Sequence, residues 1–277
     1  MKKVILITGA SSGIGFNTAK ALAHAGHRVY AAARRTERME PLQADGVVTM
    51  AMDVTDDASM QEAVEYIIEH EGRIDVLVNN AGYGYFGAIE NVTMAEARRQ
   101  IEVNVFGLAR LCQLVLPAMR AQHSGRIVNI SSIAGKSVMM YGGWYHVSKY
   151  SVEALSDALR IEMKPFGVDV VLIEPGPIKT DWGLIAADNL EASSKGTAYE
   201  TTGCQEADSL RKAYLSNLIS GPEVVTTAIC KAVDSRRPRI RYRAGAISGT
   251  AVFMHRILPD RWWDALMRFI ATRKLKD

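Results

Sequence analysis

The apolar positions of the chain alternate between two patterns. Short runs rich in β-branched residues are typical of buried parallel strands, and longer stretches with helical periodicity separate them. We predict strands at Val4–Ile7, Arg28–Ala32, Val47–Met52, Val76–Val78, Arg126–Ile130, Val168–Ile173 and Arg239–Tyr242. We predict helices at Gly13–Ala25, Ala58–Glu71, Met94–Gln122 and Tyr145–Lys164. This alternation predicts an α/β fold, a doubly wound parallel sheet of about seven strands with helices on both faces.

Two later segments depart from this alternation. From about 181 to 220 the strand runs vanish, and Gly, Ser, Thr and acidic residues mix with short apolar patches. We interpret this segment as a loop insertion over the ligand site that could act as a mobile lid. From about 236 to 277 a basic extension ends in the amphipathic segment Pro259–Lys276. We expect residues 1–277 to form a single domain.

Composition and charge exclude several classes of protein. With 48% hydrophobic and 23% charged residues the chain has globular values, which excludes a disordered or fibrous protein. The 33 basic and 30 acidic side chains are too nearly balanced to indicate nucleic-acid binding. The three cysteines, Cys112, Cys204 and Cys230, show no C-x-x-C spacing, so we predict no metal site and no disulfide framework.

The first apolar run predicts the compartment. It ends at Thr8-Gly9, which is too early for a signal peptide, and no run approaches the roughly 18 apolar residues of a spanning helix. We therefore expect a cytoplasmic, soluble protein.

The first candidate site is the segment Thr8-Gly9-Ala10-Ser11-Ser12-Gly13-Ile14-Gly15, which follows the first strand and opens the first helix. Such a turn presents bare backbone N–H groups and a helix N-terminus to an anion, and its glycines allow a diphosphate to approach the backbone. An ordinary glycine-rich turn is the alternative. The position in the chain favours nucleotide binding.

Charged residues follow the second and third strands. Arg34 and Arg35 come where an acidic residue would bind the ribose hydroxyls of NAD, and arginine suits a 2′-phosphate instead. The alternative is a solvated loop charge. In Asp53-Val54 the carboxylate could reach an adenine amino group, or it could cap the next helix.

A tyrosine and a lysine share one face of the fourth predicted helix. Tyr145 and Lys149 are four residues apart, so the ammonium can lie beside the phenol. A nearby cation lowers the pKa of tyrosine and makes it a usable general acid or base. The pair alone is a weak signal, but Ser131-Ser132 ends the preceding strand and brings a hydroxyl to the same crevice.

Taken together, these residues resemble the classical short-chain dehydrogenase/reductase family, which has a Rossmann-type fold and uses NAD(P). The resemblance covers about Val4 to Thr180. It rests on the glycine turn, Asn79-Asn80-Ala81-Gly82, Val103-Asn104-Val105, Ser132, Tyr145 with Lys149, and Pro175-Gly176. One small departure is Val147, where the family more often has alanine.

The resemblance implies a role for each matched residue. Tyr145 would exchange a proton with the substrate oxygen, and Ser132 would stabilise charge on that oxygen. Lys149 would lower the pKa of Tyr145 and bind the nicotinamide ribose, while Asn104 would hold a water that links Lys149 to solvent. The remaining implied cofactor contacts are Asn80, Ala81 and Gly82 near the adenosine ribose, and Pro175, Gly176, Ile178 and Thr180 near the nicotinamide.

The resemblance also bears on the cofactor and on the substrate. NAD-dependent members carry aspartate at the position of Ala33, and NADP-dependent members commonly carry a basic residue next to it, so Arg34 predicts NADP(H) over NAD(H). The chain looks most like the group similar to 17β-hydroxysteroid and retinol dehydrogenases, which implies a small apolar alcohol or carbonyl substrate. Candidate pocket residues are Tyr83, Met139, Tyr141, Trp144 and Trp182.

The same residues are compatible with two other functions, and the helices and the C-terminal segment suggest two kinds of partner. The arginines from Arg236 to Arg243 would also suit a 3-oxoacyl-thioester reductase, and a non-catalytic NADP(H) sensor would retain the same fold. The long helices resemble those through which family members form homodimers and homotetramers. The tryptophans and basic residues of the last segment, among them Arg261, Arg268, Arg273, Lys274 and Lys276, could contact a membrane surface. We favour packing of that segment on its own fold or on a second subunit.

Overall fold

A seven-stranded parallel sheet forms the centre of the protein. The computed structural model describes residues 2–216 and 219–272. The strands are β1 (Val4–Thr8), β2 (Arg28–Ala33), β3 (Val48–Ala51), β4 (Val76–Asn79), β5 (Gly125–Ile130), β6 (Val168–Pro175) and β7 (Arg241–Ala244). Their order is β3-β2-β1-β4-β5-β6-β7. The predicted doubly wound sheet is confirmed. Because the order reverses between β1 and β4, a crevice forms beyond the carboxyl ends of these two strands.

Helices cover both faces of the sheet. They are α1 (Gly13–His24), α2 (Glu40–Gln43), α3 (Asp57–Glu71), α4 (Met94–Ile101), α5 (Leu108–Ala121), α6 (Gly143–Met163), α7 (Asp181–Ser194), α8 (Glu200–Leu215), α9 (Glu223–Asp234), α10 (Ser248–Ile257) and α11 (Asp260–Thr272). The predicted helix Met94–Gln122 is α4 and α5, joined by a π-helical turn over Glu102–Gly107. A π turn widens the helix locally and often marks a functional position.

Alternate residues of the strands build two separate cores. Ile5 and Ile7 of β1 belong to a cluster that packs α1 and α9 on one face of the sheet. Val4 and Leu6 belong to the cluster on the other face, where α3 and α5 pack. Both faces of β1 are therefore buried, which is why the strand is a continuous apolar run in the sequence.

One helix is long and apolar enough to cross a membrane by length and composition. It spans Met94–Ala121, and 44% of its most apolar window is buried inside the protein. Leu108, Leu111, Val115 and Met119 lie in the core cluster beside the sheet. These contacts are those of a core helix.

The segment from 181 to 220 corrects one expectation, because it is helical where we predicted a loop. The helices α7 and α8 form a hairpin in which small residues let the two helices approach closely; residues 217 and 218 lie outside the described part of the chain. A side chain at Gly183 would overlap Tyr214, and one at Gly203 would overlap Ser194. The helical pattern is hidden in the sequence because glycine, alanine and serine make the contacts that large apolar residues usually mark.

The C-terminal extension forms α10 and α11, and residues 273–277, with Arg273, Lys274 and Lys276, lie outside the described residues. One side of α11 packs on the protein's own fold, as we favoured. Trp263 is buried, and its indole Nε1 donates a hydrogen bond to the carbonyl oxygen of Val138 over 2.9 Å. The neighbouring Trp262 remains 70% exposed.

Candidate active site

A cavity of about 1810 Å³ occupies the crevice at the carboxyl ends of the strands. It extends from the glycine turn after β1 to the C-terminal helix α11. Pockets for a single small ligand are usually about 300–1,000 Å³. The cavity is therefore large enough for a dinucleotide together with a second molecule.

The glycine turn forms one end of the cavity. Gly9 and Gly13 have φ angles of 65° and 54°, a conformation that costs little only for glycine. A Cβ atom on Gly9 would lie 2.8 Å from the Cα atom of Ala81, so the turn packs directly on the segment after β4. Of the predicted residues, Gly9, Ser11, Ser12, Gly13 and Ile14 line the cavity, whereas Gly15 lies behind them against Asn80.

Asn80 fixes the shape of this turn. Its side-chain Nδ2 donates hydrogen bonds to the carbonyl oxygens of Thr8 (2.9 Å) and Gly9 (3.1 Å). The hydroxyl oxygen of Thr8 in turn accepts hydrogen bonds from the backbone N–H groups of Asn80 and Ala81. Asn80, Ala81 and Gly82 also line the cavity. The two predicted cofactor segments are thus one hydrogen-bonded unit.

Three arginines line the cavity beyond the end of β2. Arg34 and Arg35 are exposed there, as the sequence suggested, and Arg38 joins them from the next turn of chain. The side chain of Arg34 lies 3.9 Å from the carboxylate of Asp53. Arg38 was not predicted; it lies on the short 3₁₀ turn Thr36–Met39, and a third basic residue so soon after Arg34 and Arg35 is the signal that could have found it.

Asp53 and Val54 line the cavity beside these arginines. The carboxylate of Asp53 accepts hydrogen bonds from the backbone N–H and the hydroxyl of Thr55. The N-cap of α3 is Asp56, whose side chain accepts from Ala58 and Ser59. Asp53 is therefore not the cap of this helix, which removes the alternative considered for it.

Ser132, Tyr145 and Lys149 come together at the inner end of the cavity. The hydroxyl of Ser132 accepts a hydrogen bond from the backbone N–H of Ala134 over 3.1 Å, which fixes its position after β5. The ammonium of Lys149 donates to the carbonyl oxygen of Ile130 over 2.9 Å and lies 5.8 Å from the centre of the Tyr145 ring. Two helical turns of α6 and the end of β5 thus supply all three groups.

The electrostatics of this cluster differ from the expectation. Burial raises the pKa of Tyr145 to about 12, although its contact with the Ser132 hydroxyl acts in the opposite direction. Burial lowers the pKa of Lys149 to about 8, while Glu153 opposes that change. We expected the lysine to lower the pKa of the tyrosine. Loss of hydration dominates the pKa of Tyr145, and the ammonium of Lys149 donates to a backbone carbonyl and not to the phenol.

Asn104 lies on the π turn and holds the chain after β4. Its Nδ2 donates to the carbonyl oxygen of Tyr83 (2.9 Å) and to the hydroxyl of Ser148 (3.0 Å), and its Oδ1 accepts from the backbone N–H of Tyr83. Asn104 is buried and does not line the cavity among the described residues. Its contacts join the Tyr83 segment to α6.

The chain after β6 forms the opposite wall of the crevice. Pro175, Gly176, Ile178 and Thr180 all line the cavity, as the resemblance implied. Thr180 is the N-cap residue of α7, and its methyl group would be 3.3 Å from a Cβ atom on Gly13. The wall therefore approaches the glycine turn closely.

Aromatic side chains cover the tyrosine at the inner end. The ring centre of Trp182 lies 5.0 Å from that of Tyr145 and 5.7 Å from that of Phe86. Gly84 makes room for this indole, because a Cβ atom there would overlap it. Of the predicted pocket residues, Tyr83, Met139 and Trp182 line the cavity.

Two predicted pocket residues lie elsewhere. Tyr141 and Trp144 are not among the described residues that line the cavity. The hydroxyl of Tyr141 lies 2.6 Å from that of Thr202, and its ring packs edge-on against Tyr199, so it joins the segment before α6 to α8. Trp144 precedes Tyr145 on α6, and adjacent helical residues point about 100° apart.

Further residues of the wall were not predicted. They come from α7, α8, α11 and the residue before α10, and include Ile185, Leu210, Tyr214, Ile247, Trp263, Met267 and Ile270. The sequence showed no readable pattern over α7 and α8, and the amphipathic pattern over α11 did not show which side of the helix faces the cavity. His146 was also missed. Its Nδ1 lies 2.9 Å from the carbonyl oxygen of Ala134, and its Nε2 accepts from the backbone N–H of Met139 over 3.1 Å. Burial lowers the pKa of this histidine, so the neutral ring is favoured and positions the Met139 segment.

Some of the arginines between Arg236 and Arg243, before and within β7, form ion pairs with acidic residues of the fold. Arg241 pairs with Glu153 and Asp157, and Arg243 pairs with the fully buried Glu174. These two arginines hold β7 to the fold. Arg236, Arg237 and Arg239 are exposed.

The fold and this cluster define a dinucleotide-binding α/β enzyme class, and comparison with known proteins gives the family. The short chain dehydrogenase family matches residues 3–188. The chain is 36% identical over 272 residues to a probable short-chain type dehydrogenase/reductase, VdlC, of Helicobacter pylori (98% of this chain, 99% of that protein). It is 40% identical to a 3-ketodihydrosphingosine reductase of Bacteroides thetaiotaomicron (88% of each) and 34% identical to human retinol dehydrogenase 8 (86% and 80%). The protein belongs to the short-chain dehydrogenase/reductase family of oxidoreductases.

Solved structures agree with this assignment. A short-chain dehydrogenase from Streptomyces avermitilis superposes with a TM-score of 0.80 at 33% identity and covers 98% of this chain and 96% of its own. A serine dehydrogenase complexed with NADP⁺ (TM-score 0.76, 25% identity, 88% and 95% covered) and a family member from Burkholderia phymatum in complex with NAD (0.78, 26%, 100% and 98%) are also similar. Similar folds thus bind either dinucleotide.

Proposed function

We propose that the protein is an NADP(H)-dependent oxidoreductase that interconverts an apolar alcohol and its ketone or aldehyde. The observation that carries this proposal is the cluster of Ser132, Tyr145 and Lys149 beneath an aromatic wall. An apolar pocket with few polar groups suits a bulky carbonyl compound better than a sugar phosphate. The relative named 3-ketodihydrosphingosine reductase supports reduction of a ketone.

The residues of the crevice fit a dinucleotide. Gly9 and Gly13 leave the backbone bare at the N-terminus of α1, where the N–H groups and helix dipole suit a diphosphate. Arg34, Arg35 and Arg38 would hold a 2′-phosphate at the end of β2. When bound, the nicotinamide ring supplies or accepts a hydride at its C4 atom.

The chain's own residues handle the proton and the charge. The Tyr145 hydroxyl keeps its proton at neutral pH, because burial raises its pKa to about 12, and donates that proton to the substrate oxygen during reduction. The Ser132 hydroxyl stabilises the charge that develops on the same oxygen. The protonated Lys149 orients the cofactor ribose, and Asn104 holds the backbone beside it. The α7–α8 hairpin, with Trp182 over Tyr145, excludes water.

Assembly and location complete the proposal. Exposed apolar side chains on α4, α6 and the π turn between α4 and α5 support a homodimer or homotetramer through these helices; they include Met94, Phe106 and Tyr150. The protein is proposed to act in the cytoplasm. A sensor without catalysis would not need Ser132, Tyr145 and Lys149 in one place.

A substrate panel tests the proposed reaction. We expect NADPH oxidation, followed at 340 nm, with at least one of steroid ketones, retinal, medium-chain aldehydes or aromatic ketones. We expect less turnover of an acetoacetyl thioester. Two of the arginines that would suit a thioester reductase, Arg241 and Arg243, are already engaged in ion pairs within the protein. Turnover of the thioester alone would favour the acyl-thioester reductase, and cofactor binding with no turnover at all would favour the sensor.

The two reaction directions are expected to differ in their pH dependence. Reduction requires protonated Tyr145, and a pKa raised to about 12 keeps it protonated across the neutral range. Oxidation requires the tyrosinate, so its rate should rise up to about tenfold per pH unit below that pKa. Above about pH 8 Lys149 loses its proton and no longer orients the ribose, so reduction should decline and the rise in oxidation should flatten. Profiles of kcat/KM from pH 6 to 10 in both directions measure this; an oxidation rate that is flat with pH would contradict it.

A further inference from the structure

The mouth of the cavity is bordered by apolar side chains that face solvent. Five large apolar residues both line the cavity and are at least 38% exposed, namely Val138, Met139, Ile185, Ile247 and Ile270. We call these five residues the rim. Exposed apolar groups clustered at one opening mark a binding surface for a ligand, a protein or a membrane, since single exposed residues are usually scattered.

The helices beside the rim continue this apolar surface outward. On α10, Phe253 and Ile257 are four residues apart and 60% and 55% exposed. On α11, Trp262 and Phe269 are seven residues apart, so they lie on one face of that helix, and Trp262 is 70% exposed. An adjacent side of α11, about 80–140° round the helix from Trp262 at roughly 100° per residue, lines the cavity with Trp263, Met267 and Ile270. One helix therefore borders both the cavity and the solvent.

Positive charge accompanies these apolar residues. Arg256 is three residues after Phe253 and is exposed on α10, and Arg261 and Arg268 are exposed along one edge of the Trp262 face of α11. Asp260 and Asp264 lie further round α11, beyond the arginines. In sequence, the 33 residues after β7 hold six basic and three acidic side chains, whereas the rest of the chain holds 27 of each. The whole net charge of +3 thus lies in this segment.

We propose that α10 and α11 dock on an anionic lipid surface, with Phe253, Ile257 and Trp262 as the docking face, so that the rim opens against the bilayer. Aromatic residues flanked by arginines are the groups that bind at the interface of anionic membranes. A second copy of the chain fits less well, because an isologous contact would bring two segments of like charge together.

This docking names the substrate class, and in that respect it rests on the proposed function. A carbonyl compound with a long hydrocarbon chain partitions into the bilayer rather than into water. From a docked enzyme it would enter through the rim, with its chain along Ile247, Met267 and Ile270 and its carbonyl at Tyr145. The substrate is therefore a single-chain amphiphile drawn from the membrane.

Vesicle flotation tests the docking without any turnover. We expect the wild-type protein to float with vesicles of phosphatidylglycerol and phosphatidylcholine in equal parts, and not with phosphatidylcholine alone. Arg256→Gln with Arg261→Gln should lower the partition coefficient about fivefold per arginine. Phe253→Ser with Trp262→Ser should abolish flotation. Ile240→Ser, which removes a side chain 47% exposed just before β7 and outside the proposed oligomer helices, should have no effect.

The outcomes separate docking from catalysis. If the wild-type protein does not float with anionic vesicles at low salt, the proposed docking is wrong. It is also wrong if the arginine double variant has the same partition coefficient as the wild type. A third outcome is that the wild-type protein does not bind vesicles and a docking-face variant changes the oligomeric state measured by sedimentation. This result would show that a second copy of the chain covers the docking face. In kinetics, the arginine variant should turn over a vesicle-borne long-chain ketone more slowly and a water-soluble ketone at the wild-type rate. If neither ketone is turned over while flotation holds, the proposed function fails and the docking stands.

Discussion

Replacing Tyr145 with phenylalanine should lower kcat for carbonyl reduction by about 10³- to 10⁴-fold, the upper range for loss of a positioned general acid. The variant removes one oxygen atom and leaves the ring, so its contact with Trp182 at 5.0 Å is retained. Binding of NADPH and the melting temperature should therefore remain close to those of the wild type. Steady-state kinetics, a fluorescence titration with NADPH and thermal unfolding measure the three quantities.

Tyr141→Phe is the matched control for this substitution. Tyr141 lies on the segment just before α6, and its hydroxyl contacts Thr202 at 2.6 Å instead of facing the cavity. The same loss of one oxygen should change kcat by less than about threefold and cost about 1 kcal/mol of stability for the lost hydrogen bond. Equal activity losses in the two variants would mean that a different group protonates the substrate.

The sequence predicted the parts of the site that depend on local backbone rules. The glycine turn follows from the φ angles that Gly9 and Gly13 must adopt, and the Tyr145–Lys149 pair follows from the spacing of an α-helix. The sheet was predictable because strands such as β1 are buried on both faces and leave unbroken apolar runs. These features are encoded within a few neighbouring residues.

The rest of the site depends on contacts between distant segments. The α7–α8 hairpin was not predicted because its helices pack through glycines: Tyr214 lies against Gly183, and Ser194 lies against Gly203. Contacts of this kind leave no periodic pattern of apolar residues in the sequence. The pKa of Tyr145 was misjudged because burial by Trp182 and Phe86 comes from two other elements. Trp144 and Tyr141 were misplaced because proximity in sequence does not give the direction of a side chain.

The preference for NADPH is expected to depend on Arg34. Its side chain is 66% exposed at the end of β2 and forms only a long ion pair of 3.9 Å with Asp53, which leaves most of its N–H donors available to a 2′-phosphate. Arg34→Ser should weaken NADPH binding by about 10- to 100-fold, the range for loss of one or two charge-assisted hydrogen bonds, and leave NADH binding nearly unchanged. Fluorescence titrations with both dinucleotides measure the ratio. Lys20→Ser is the control, because this cation lies on α1 beside Asp45 and outside the cavity lining.

A second substitution should reverse the preference. Ala33 is buried at the last position of β2 and lines the cavity, so an aspartate there would place a carboxylate where the ribose hydroxyls can donate to it. The same carboxylate would repel a 2′-phosphate. The double variant Ala33→Asp, Arg34→Ser should therefore bind NADH more tightly than NADPH. If wild-type protein already prefers NADH, or if Arg34→Ser leaves the ratio unchanged, the three arginines serve only as solvated surface charge and the proposed cofactor is wrong.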